Sequence, residues 1–263
     1  MIIDLNGKTA LVTASSKGIG FAIGKALAEA GANVCICSRK EEKLRATERE
    51  LTSHAPERVL ALAGDISDAE FIDLLVNKAQ QRFGSIDILV NNSGGPPAGE
   101  VLSLTEAQWL AAINSNLLSV IRLSSLVLPG MKEKGWGRIV NLTSTAAREP
   151  AAGMALSNVT RAGVAAYTKT LAHEVGPFGI TVNTILTGGV LTERFNSLVE
   201  RSIKDTGETF DEAIARLEKT VPVRHFATPD EFAQTILFLV SPAAGYLTGA
   251  AIPLDGGASK SIF

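Results

Sequence analysis

The side chains that most often mark metal binding and neutral-pH proton transfer are scarce in this chain of 263 residues. It has two cysteines, three histidines and two tyrosines, and 5% of its residues are aromatic. We expect Cys35 and Cys37 to be buried free thiols whose side chains point to opposite faces of a strand. Such an arrangement excludes a disulfide between them and a shared metal site. The sequence therefore predicts neither a disulfide framework nor a metal centre.

A strong excess of charge and a long apolar run are also missing. The formal net charge is -2 at pH 7, so no global field would attract nucleic acid or an anionic membrane surface. The N-terminal residues show no secretory pattern, and uninterrupted apolar runs fall short of the ~20 residues that span a bilayer. We expect a cytoplasmic protein that binds neither nucleic acid nor a membrane.

What the chain does contain is a regular alternation of two hydrophobic patterns. Short apolar runs rich in Val, Ile and Leu are typical of strands buried on both faces of a parallel sheet, and longer helical patterns separate them. This alternation predicts an α/β protein with a single-domain Rossmann fold, a doubly wound seven-stranded parallel sheet with helices on both faces. The predicted strands are 8–14, 33–39, 59–65, 86–92, 137–144, 180–186 and 250–256, and the predicted helices are 18–30, 40–53, 68–83, 105–133, 157–175 and 229–241.

A polar and irregular segment, 187–228, separates the last two predicted strands. No linker or repeat divides the chain, so we expect residues 1–263 to form one domain. Ligands of doubly wound sheets bind beyond the carboxyl ends of the strands. We therefore expect an insertion at about 188–228 to act as a lid over that crevice.

The stretch TASSKGIG at 13–20 follows the first predicted strand and opens the first helix. Gly18 and Gly20 would let the backbone approach a pyrophosphate, and the helix N-terminus would supply free N–H groups. The spacing resembles T-G-x-x-x-G-x-G with Ala14 at the first glycine position, where we expect an alanine to be tolerated at negative φ. The turn predicts dinucleotide binding, and an ordinary tight turn is the alternative.

The end of the second predicted strand indicates which dinucleotide is bound. Ser38, Arg39 and Lys40 stand where an acid usually selects NAD. A guanidinium there favours the 2′-phosphate of NADP, and Lys17 could reach the same group. We expect NADP(H) to be favoured over NAD(H), the alternative being a solvated basic start of the next helix.

Seven ordered motifs resemble the short-chain dehydrogenase/reductase family, and among its members the 3-oxoacyl-acyl-carrier-protein reductases. The resemblance covers essentially the whole chain and implies an oxidoreductase acting on a carbonyl or alcohol substrate, assembled as a homotetramer or homodimer. The motifs are TASSKGIG at 13–20, GDIS at 64–67, NNSG at 91–94, INSNLLSV at 113–120, GRIVNLTS at 137–144, LAHEVGPFGITVN at 171–183 and YLTGAAIPLDGG at 246–257.

The resemblance also assigns residues to the two halves of the site. Asn116 would support a relay water, and Ser144 would hydrogen-bond the substrate oxygen. The implied cofactor-binding residues are Thr13, Ser15, Ser16, Lys17, Gly18, Ile19, Gly20, Ser38, Arg39, Asp65, Ile66, Asn91, Ser93, Gly94, Arg161, Thr187, Gly188, Val190 and Thr192.

The catalytic pair of the family is replaced in register. The family has a tyrosine thirteen residues after the serine and a lysine four residues later, and this chain has Ser157 and Arg161 at those positions. A hydroxyl is a far weaker acid than a phenol, and a permanently charged guanidinium cannot relay a proton as lysine can. Tyr167 is ten residues beyond Ser157, about 15 Å along the same helix, so we expect it to be a packing residue.

Three hypotheses remain open for Ser157 and Arg161. The first is an oxidoreductase in which Ser144, Ser157 and a water or substrate group handle the proton. The second is a catalytically silent NADP-binding sensor or regulatory protein. The third is an enzyme that uses Arg161 to bind a carboxylate or phosphate ester. An anionic substrate is a hypothesis based on further basic residues, with solvated surface charge as the alternative. These residues are Arg148, Arg194, Arg201 and Lys204.

Overall fold

The computed structural model describes residues 2–204 and 206–262, apart from the side chain of His54, and every predicted strand is present in it. The strands are β1 (Thr9–Val12), β2 (Asn33–Ser38), β3 (Val59–Ala63), β4 (Ile88–Asn91), β5 (Gly137–Leu142), β6 (Ile180–Thr187) and β7 (Ala251–Leu254). The helices are α1 (Gly18–Glu29), α2 (Glu41–His54), α3 (Ala69–Phe83), α4 (Glu106–Ile113), α5 (Ser119–Lys134), α6 (Ala155–Val175), α7 (Glu193–Ile203), α8 (Phe210–Glu218) and α9 (Pro229–Val240).

The strands form one parallel sheet in the order β3-β2-β1-β4-β5-β6-β7. Two apolar clusters cover it, one with α1, α2 and α9 on one face, and the other with α3, α5 and α6 on the opposite face. The predicted fold class is confirmed. The strand order reverses between β1 and β4, and the crevice at such a switch point is where ligands of doubly wound sheets bind.

Two parts of the chain differ from the sequence-based prediction. The helix predicted over 105–133 is interrupted by a π-helical turn, Asn114–Leu118, between α4 and α5. The segment predicted to be irregular contains α7 and α8, whose N-caps are Thr192 and Thr209. A capping box with Glu212 three residues after Thr209 is a signal that could have located α8 in the sequence.

The continuous helical run Glu106–Lys134 is long and apolar enough to cross a membrane by length and composition alone. The sequence prediction missed this run, because polar residues interrupt its apolar stretches. Its α5 portion packs against α3, β4 and β5, and its α4 portion packs against α6. Core helices of globular proteins pass the same test, and this packing favours that interpretation.

The two cysteines are free and lie in the same apolar cluster on one side of β2. The expectation that Cys35 and Cys37 point to opposite faces is wrong, because residues two apart on a strand share a face. Burial is the largest cause that raises the pKa of each thiol to about 12. No group of three or more potential metal ligands occurs among the described residues.

A chain of buried polar side chains joins three strands to α6. Asn91 Nδ2 on β4 donates to Asn141 Oδ1 on β5 at 2.8 Å, and Asn141 Nδ2 donates to Thr168 Oγ1 on α6 at 2.8 Å. Thr184 Oγ1 on β6 donates to the same Thr168 oxygen at 2.7 Å. Because every one of these residues is buried, breaking the chain leaves polar groups without water or partner. The chain therefore fixes where α6 sits on the sheet.

The raised pKa values predict that both thiols resist alkylation in the native protein. At pH 8 only about one thiol in 10⁴ with a pKa near 12 would be ionised, and the thiolate is the reactive form. We expect a disulfide reagent to label neither cysteine in buffer and both in denaturant, as measured by absorbance. Rapid stoichiometric labelling of the folded protein would contradict the burial of Cys35 and Cys37.

Removal of the shared acceptor on α6 tests the polar chain. Thr168→Val keeps the side-chain shape but leaves the Asn141 amide and the Thr184 hydroxyl unpaired, so we expect a loss of about 1–3 kcal/mol in the free energy of unfolding. Urea denaturation measures the loss. The matched control is Thr170→Val on the exposed side of α6, which should change stability by less than about 0.5 kcal/mol. Equal effects of the two substitutions would refute the structural role.

Candidate active site

A cavity opens beyond the carboxyl ends of β4, β5 and β6, beside the start of α1. It is bounded on its outer side by α7 and on its inner side by α6. Its lining residues are Ile19, Asn92, Ser93, Gly95, Leu142, Thr143, Ser144, Met154, Ser157, Arg161, Thr187, Gly188, Val190, Thr192, Arg194, Phe195 and Leu198. A second cavity, lined by His225 and Phe226 among others, contains none of the predicted site residues.

The two serines of the predicted catalytic set face this cavity. Ser144 follows β5, and its hydroxyl oxygen accepts a hydrogen bond from Ala146 N at 3.2 Å, which leaves its proton available to a ligand. Ser157 lies in the first turn of α6 and is 5% exposed. No residue in the described part of the chain hydrogen-bonds the Ser157 hydroxyl. Both hydroxyls therefore line the same cavity with their protons available to a ligand.

Arg161 lies one turn beyond Ser157 on the same face of α6 and is 7% exposed. Its Nη1 donates to the carbonyl oxygen of Leu142 at 2.8 Å, and its Nε is buried without a hydrogen-bond partner. No carboxylate within the described ranges forms an ion pair with it. Burial, followed by the charge of Arg194, lowers the pKa of Arg161 to about 10. The cavity thus contains a buried cation that stays charged at neutral pH and has no counterion.

The glycine-rich turn lies at the opposite end of the cavity. A side chain at Gly20 would place its Cβ 2.5 Å from the carbonyl oxygen of Ala14, so the close turn requires glycine there. The N-terminus of α1 has no side-chain cap and no acid in its first turn. Its N–H groups and positive dipole end therefore remain available to an anion such as a pyrophosphate.

Ala14 does not have the expected conformation. Its φ is +47°, in the left-handed region, whereas the sequence analysis expected a negative value. The residue adopts the backbone geometry of the glycine that it replaces, because the turn must bring its carbonyl oxygen against Gly20. A left-handed alanine is strained by about 1–2 kcal/mol.

Three residues around Ala14 support the shape of the turn and do not line the cavity, namely Thr13, Ser15 and Ser16. Thr13 Oγ1 donates to the carbonyl oxygen of Asn92 at 2.6 Å, and Ser15 Oγ donates to that of Val12 at 2.8 Å. Ser16 accepts a hydrogen bond from Thr47 Oγ1 through its carbonyl oxygen at 3.0 Å.

Several cations surround the corner expected to hold the adenosine ribose. Lys17 forms an ion pair with Glu193, and Lys43 Nζ lies 3.8 Å from the same carboxylate. Arg39 is largely exposed, and its Nη1 lies 3.9 Å from Asp65 Oδ2. An acid therefore stands at this corner after all, although it comes from the loop after β3. Sequence reasoning missed Lys43, which the first turn of α2 brings to this corner.

The neighbouring predicted positions have supporting contacts. Ser38 Oγ donates to the carbonyl oxygen of Lys40 at 3.4 Å. Asp65 Oδ1 accepts from Ser67 N at 2.9 Å and shapes the turn after β3. Ile66 packs against the apolar cluster that contains α3 and α5.

The loop after β4 is shifted by one residue from the predicted set. Asn92 and Gly95 line the cavity, whereas Asn91 is turned into the sheet toward Asn141 and Gly94 is exposed. The physical reason is the alternation of side chains along β4, which directs position 91 into the polar chain described above.

Asn116 is buried in the π-helical turn and does not line the cavity itself. Its Oδ1 accepts a hydrogen bond from Ser93 Oγ at 3.0 Å, and its Nδ2 donates to Ser115 Oγ at 2.8 Å. Ser93 does line the cavity. The serine hydroxyl thus stands between the asparagine predicted for a proton relay and the open space.

The loop after β6 lies where the sequence predicted it, with Thr187, Gly188, Val190 and Thr192 all on the cavity wall. A Cβ at Gly188 would be 2.5 Å from Cα of Asp255, so this loop packs tightly on the chain after β7. Thr192 Oγ1 accepts from Phe195 N at 3.2 Å and thereby starts α7 at the mouth of the cavity.

Other candidates named from the sequence lie elsewhere. Arg148 donates to the carbonyl oxygen of Ala251 at 3.0 Å, so its guanidinium is held at the β6–β7 edge and not in the cavity. Arg201 and Lys204 are exposed and do not line it either, whereas Arg194 does. Tyr167 packs against an apolar cluster as predicted, and Tyr246 is fully exposed.

Comparison with known proteins relates the whole chain to one family. A family model described as enoyl-(acyl carrier protein) reductase matches residues 13–259. A putative ketoacyl reductase of Streptomyces coelicolor is 34% identical over 254 residues, which cover 96% of this chain and 97% of that protein. The L-sorbose reductase of Gluconobacter frateurii, solved with NADPH and L-sorbose, has a TM-score of 0.95 at 32% identity, with 100% of each chain covered.

A further solved structure is similar over nearly the whole chain. The NADPH-bound short chain oxidoreductase of Pseudomonas aeruginosa PAO1, described as containing an atypical catalytic center, has a TM-score of 0.88 at 32% identity. The match covers 98% of this chain and 99% of that one.

The left-handed conformation of Ala14 predicts that glycine would stabilise the turn. Glycine at position 14 would relieve about 1–2 kcal/mol of backbone strain in the folded protein. It would also increase the conformational entropy of the unfolded chain, which lowers stability by roughly 0.4–1 kcal/mol, so the relief of strain is the larger effect. We expect Ala14→Gly to raise the free energy of unfolding by up to about 1 kcal/mol in urea denaturation. Ala30→Gly is the control, since Ala30 has φ -77° and the change there should lower stability. A destabilised Ala14→Gly would contradict the strain.

Proposed function

This chain belongs to the short-chain dehydrogenase/reductase family, and we propose that it is an NADP-dependent oxidoreductase resembling the 3-oxoacyl reductases. It would interconvert a carbonyl compound and the corresponding alcohol through an atypical active site. The observation that carries the proposal is the meeting of Ser144, Ser157 and Arg161 in one cavity that also adjoins the glycine-rich turn.

The residues present fit an NADP molecule. The turn offers an uncapped helix N-terminus and a glycine whose side-chain space is occupied by backbone, as close approach of a pyrophosphate requires. Lys17, Arg39 and Lys43 supply positive charge for a 2′-phosphate. The NADPH complexes of the Gluconobacter and Pseudomonas relatives support the same preference.

The chemistry of the cavity favours charge stabilisation over proton relay. The chemistry that NADPH would supply when bound is a hydride for the carbonyl carbon, which would leave negative charge on the carbonyl oxygen until a proton reaches it. Ser144 and Ser157 donate hydrogen bonds to that oxygen, and the buried guanidinium of Arg161 stabilises its developing negative charge. Because Arg161 keeps its proton, the proton would come from a water or from a group of the substrate.

Residues around the cavity support the expected lid and the expected oligomer. Segment 188–228 acts as a lid, because Thr192, Arg194 and Phe195 of this segment form the outer wall of the cavity. Exposed apolar side chains at Val101, Leu102 and Leu110 support association into a homodimer or homotetramer. We place the protein in the cytoplasm, acting on a small carbonyl or alcohol substrate.

A specific observation favours one alternative, a catalytically silent NADP-binding sensor. The lining of the cavity, within the described residues, includes no Tyr, His, Cys, Lys, Asp or Glu. No side chain there titrates near neutral pH, so the general acid of an ordinary reductase has no counterpart.

The decisive experiment combines cofactor titration with a carbonyl-substrate screen. We expect NADPH to bind more tightly than NADH, and we expect slow turnover. Ser144→Ala should lower kcat/KM by about 10²–10³-fold, as loss of one hydrogen-bond donor to a developing oxyanion does, while the Kd of NADPH stays constant. Ser125→Ala, on the exposed side of α5, is the matched control with unchanged rates.

Two outcomes would reject the oxidoreductase. If neither NADPH nor NADH binds, both the oxidoreductase hypothesis and the sensor hypothesis are wrong. Cofactor binding without turnover, together with reductase activity gained by Ser157→Tyr/Arg161→Lys, establishes the silent sensor instead.

A further inference from the structure

The charge in the cavity is unbalanced. Two guanidinium groups, those of Arg161 and Arg194, lie on its wall, together with the hydroxyls of several serines and threonines. No Asp or Glu is among the described lining residues. Positive charge that is partly desolvated and has no protein counterion is costly unless a ligand supplies the anion.

Arg161 provides the buried half of this charge. Among the described residues, its Nη1 alone has a hydrogen-bond acceptor, and its Nε is buried without one. Arg194 lines the same cavity, and its charge adds to burial in lowering the pKa of Arg161. An anion in the cavity would offset both charges.

Arg194 provides the other half from the first turn of α7. Its Nη1 lies 3.4 Å from the carbonyl oxygen of Gly95, and a Cβ on Gly95 would come within 2.5 Å of Nη2. The absence of a side chain at position 95 therefore makes room for the guanidinium at the cavity wall. No acid in the described ranges forms an ion pair with Arg194.

The adjacent residue has different partners from Arg194. Glu193 pairs with Lys17 and lies near Lys43 beside the glycine-rich turn, whereas Arg194 lies against Gly95 on the wall that it shares with Arg161. Thr192 lies against Gly18, where a Cβ would meet its Cγ2 at 3.3 Å, so the residue before Glu193 also faces the turn. The phosphates of a dinucleotide thus have their own partners, and Arg194 is left for another anion.

We propose that Arg194 binds a free carboxylate on the carbonyl substrate, with the charge of Arg161 behind it, so that the substrates are short oxo acids. This inference rests on the oxidoreductase proposed above. The planar forks of the guanidinium groups match a carboxylate, and the apolar walls of Met154, Phe195 and Leu198 suit a short carbon chain beside it. The carboxylate changes no bond: the carbonyl carbon gains the hydride of NADPH, the oxygen gains one proton from water, and NADP⁺ leaves.

The test compares acetoacetate with its methyl ester, which removes the charge and keeps the ketone. We expect wild-type kcat/KM to be at least about tenfold higher for the acid, because only the acid can form a charge-assisted hydrogen bond with Arg194. Arg194→Gln should lower kcat/KM for the acid by about 10–100-fold, through KM, and leave the ester and the Kd of NADPH within about twofold. Arg194→Lys should restore part of the loss.

Arg201→Gln is the matched control, since Arg201 lies on α7 but does not line the cavity. It should leave every parameter unchanged. Equal rates for acid and ester, or an acid preference that survives Arg194→Gln, would overturn the carboxylate site. Preference for a phosphate-ester ketone with no preference for the acid would overturn it as well.

A measurement of binding alone distinguishes the two ways in which the prediction can fail, an absent carboxylate site and an absent oxidoreductase activity. Calorimetric titration with 3-hydroxybutyrate and with its methyl ester is made with and without NADP⁺. If no carbonyl compound is reduced but the acid binds wild type and not Arg194→Gln, the oxidoreductase fails and the carboxylate site stands. If reduction of neutral ketones occurs and the acid never binds, the carboxylate site fails alone.

Discussion

The placement of α6 on the sheet is the constraint on which the site depends. Thr168 accepts hydrogen bonds from Asn141 and Thr184, and two turns earlier Arg161 donates to the carbonyl oxygen at the end of β5. These contacts fix the height and rotation of the helix against β5 and β6. They bring the Ser157 hydroxyl into the cavity that Ser144 lines from the strand end. Polar groups inside an apolar core have few alternative partners, so they specify one position rather than a range.

A second constraint is electrostatic and comes from the start of α7. Consecutive side chains there face different parts of the cleft, with Glu193 among lysines and Arg194 among hydroxyls. Lys17 and then Lys43 hold the pKa of the Glu193 carboxyl below its usual range, so it is ionised at neutral pH. A bound phosphate would compete with this carboxylate for the same lysines. Binding of the proposed cofactor would therefore act on the start of α7, which also carries Arg194.

The sequence predicted the strands, the sheet class and the position of the glycine-rich turn because these depend on local patterns repeated along the chain. It did not predict the conformation of Ala14, because that follows from the contact between its carbonyl oxygen and Gly20. Asn91 was assigned to the cleft and lies in the sheet, since register decides which of two adjacent asparagines faces outward. Lys43 and the pairing of Ser93 with Asn116 depend on elements that meet only after folding.

The paired change to Ser157 and Arg161 has a common physical reason. A buried lysine has a variable pKa and can lower that of a neighbouring phenol, whereas a guanidinium keeps its charge when desolvated. The pKa of Arg161 falls to about 10 and no further, so the group remains a cation across the physiological range. A serine beside it cannot act as a proton donor of matched pKa, but it can hydrogen-bond an oxygen that the cation stabilises. In the proposed mechanism the pair supplies fixed positive charge in place of acid–base catalysis, and fixed positive charge favours substrates that are themselves anions.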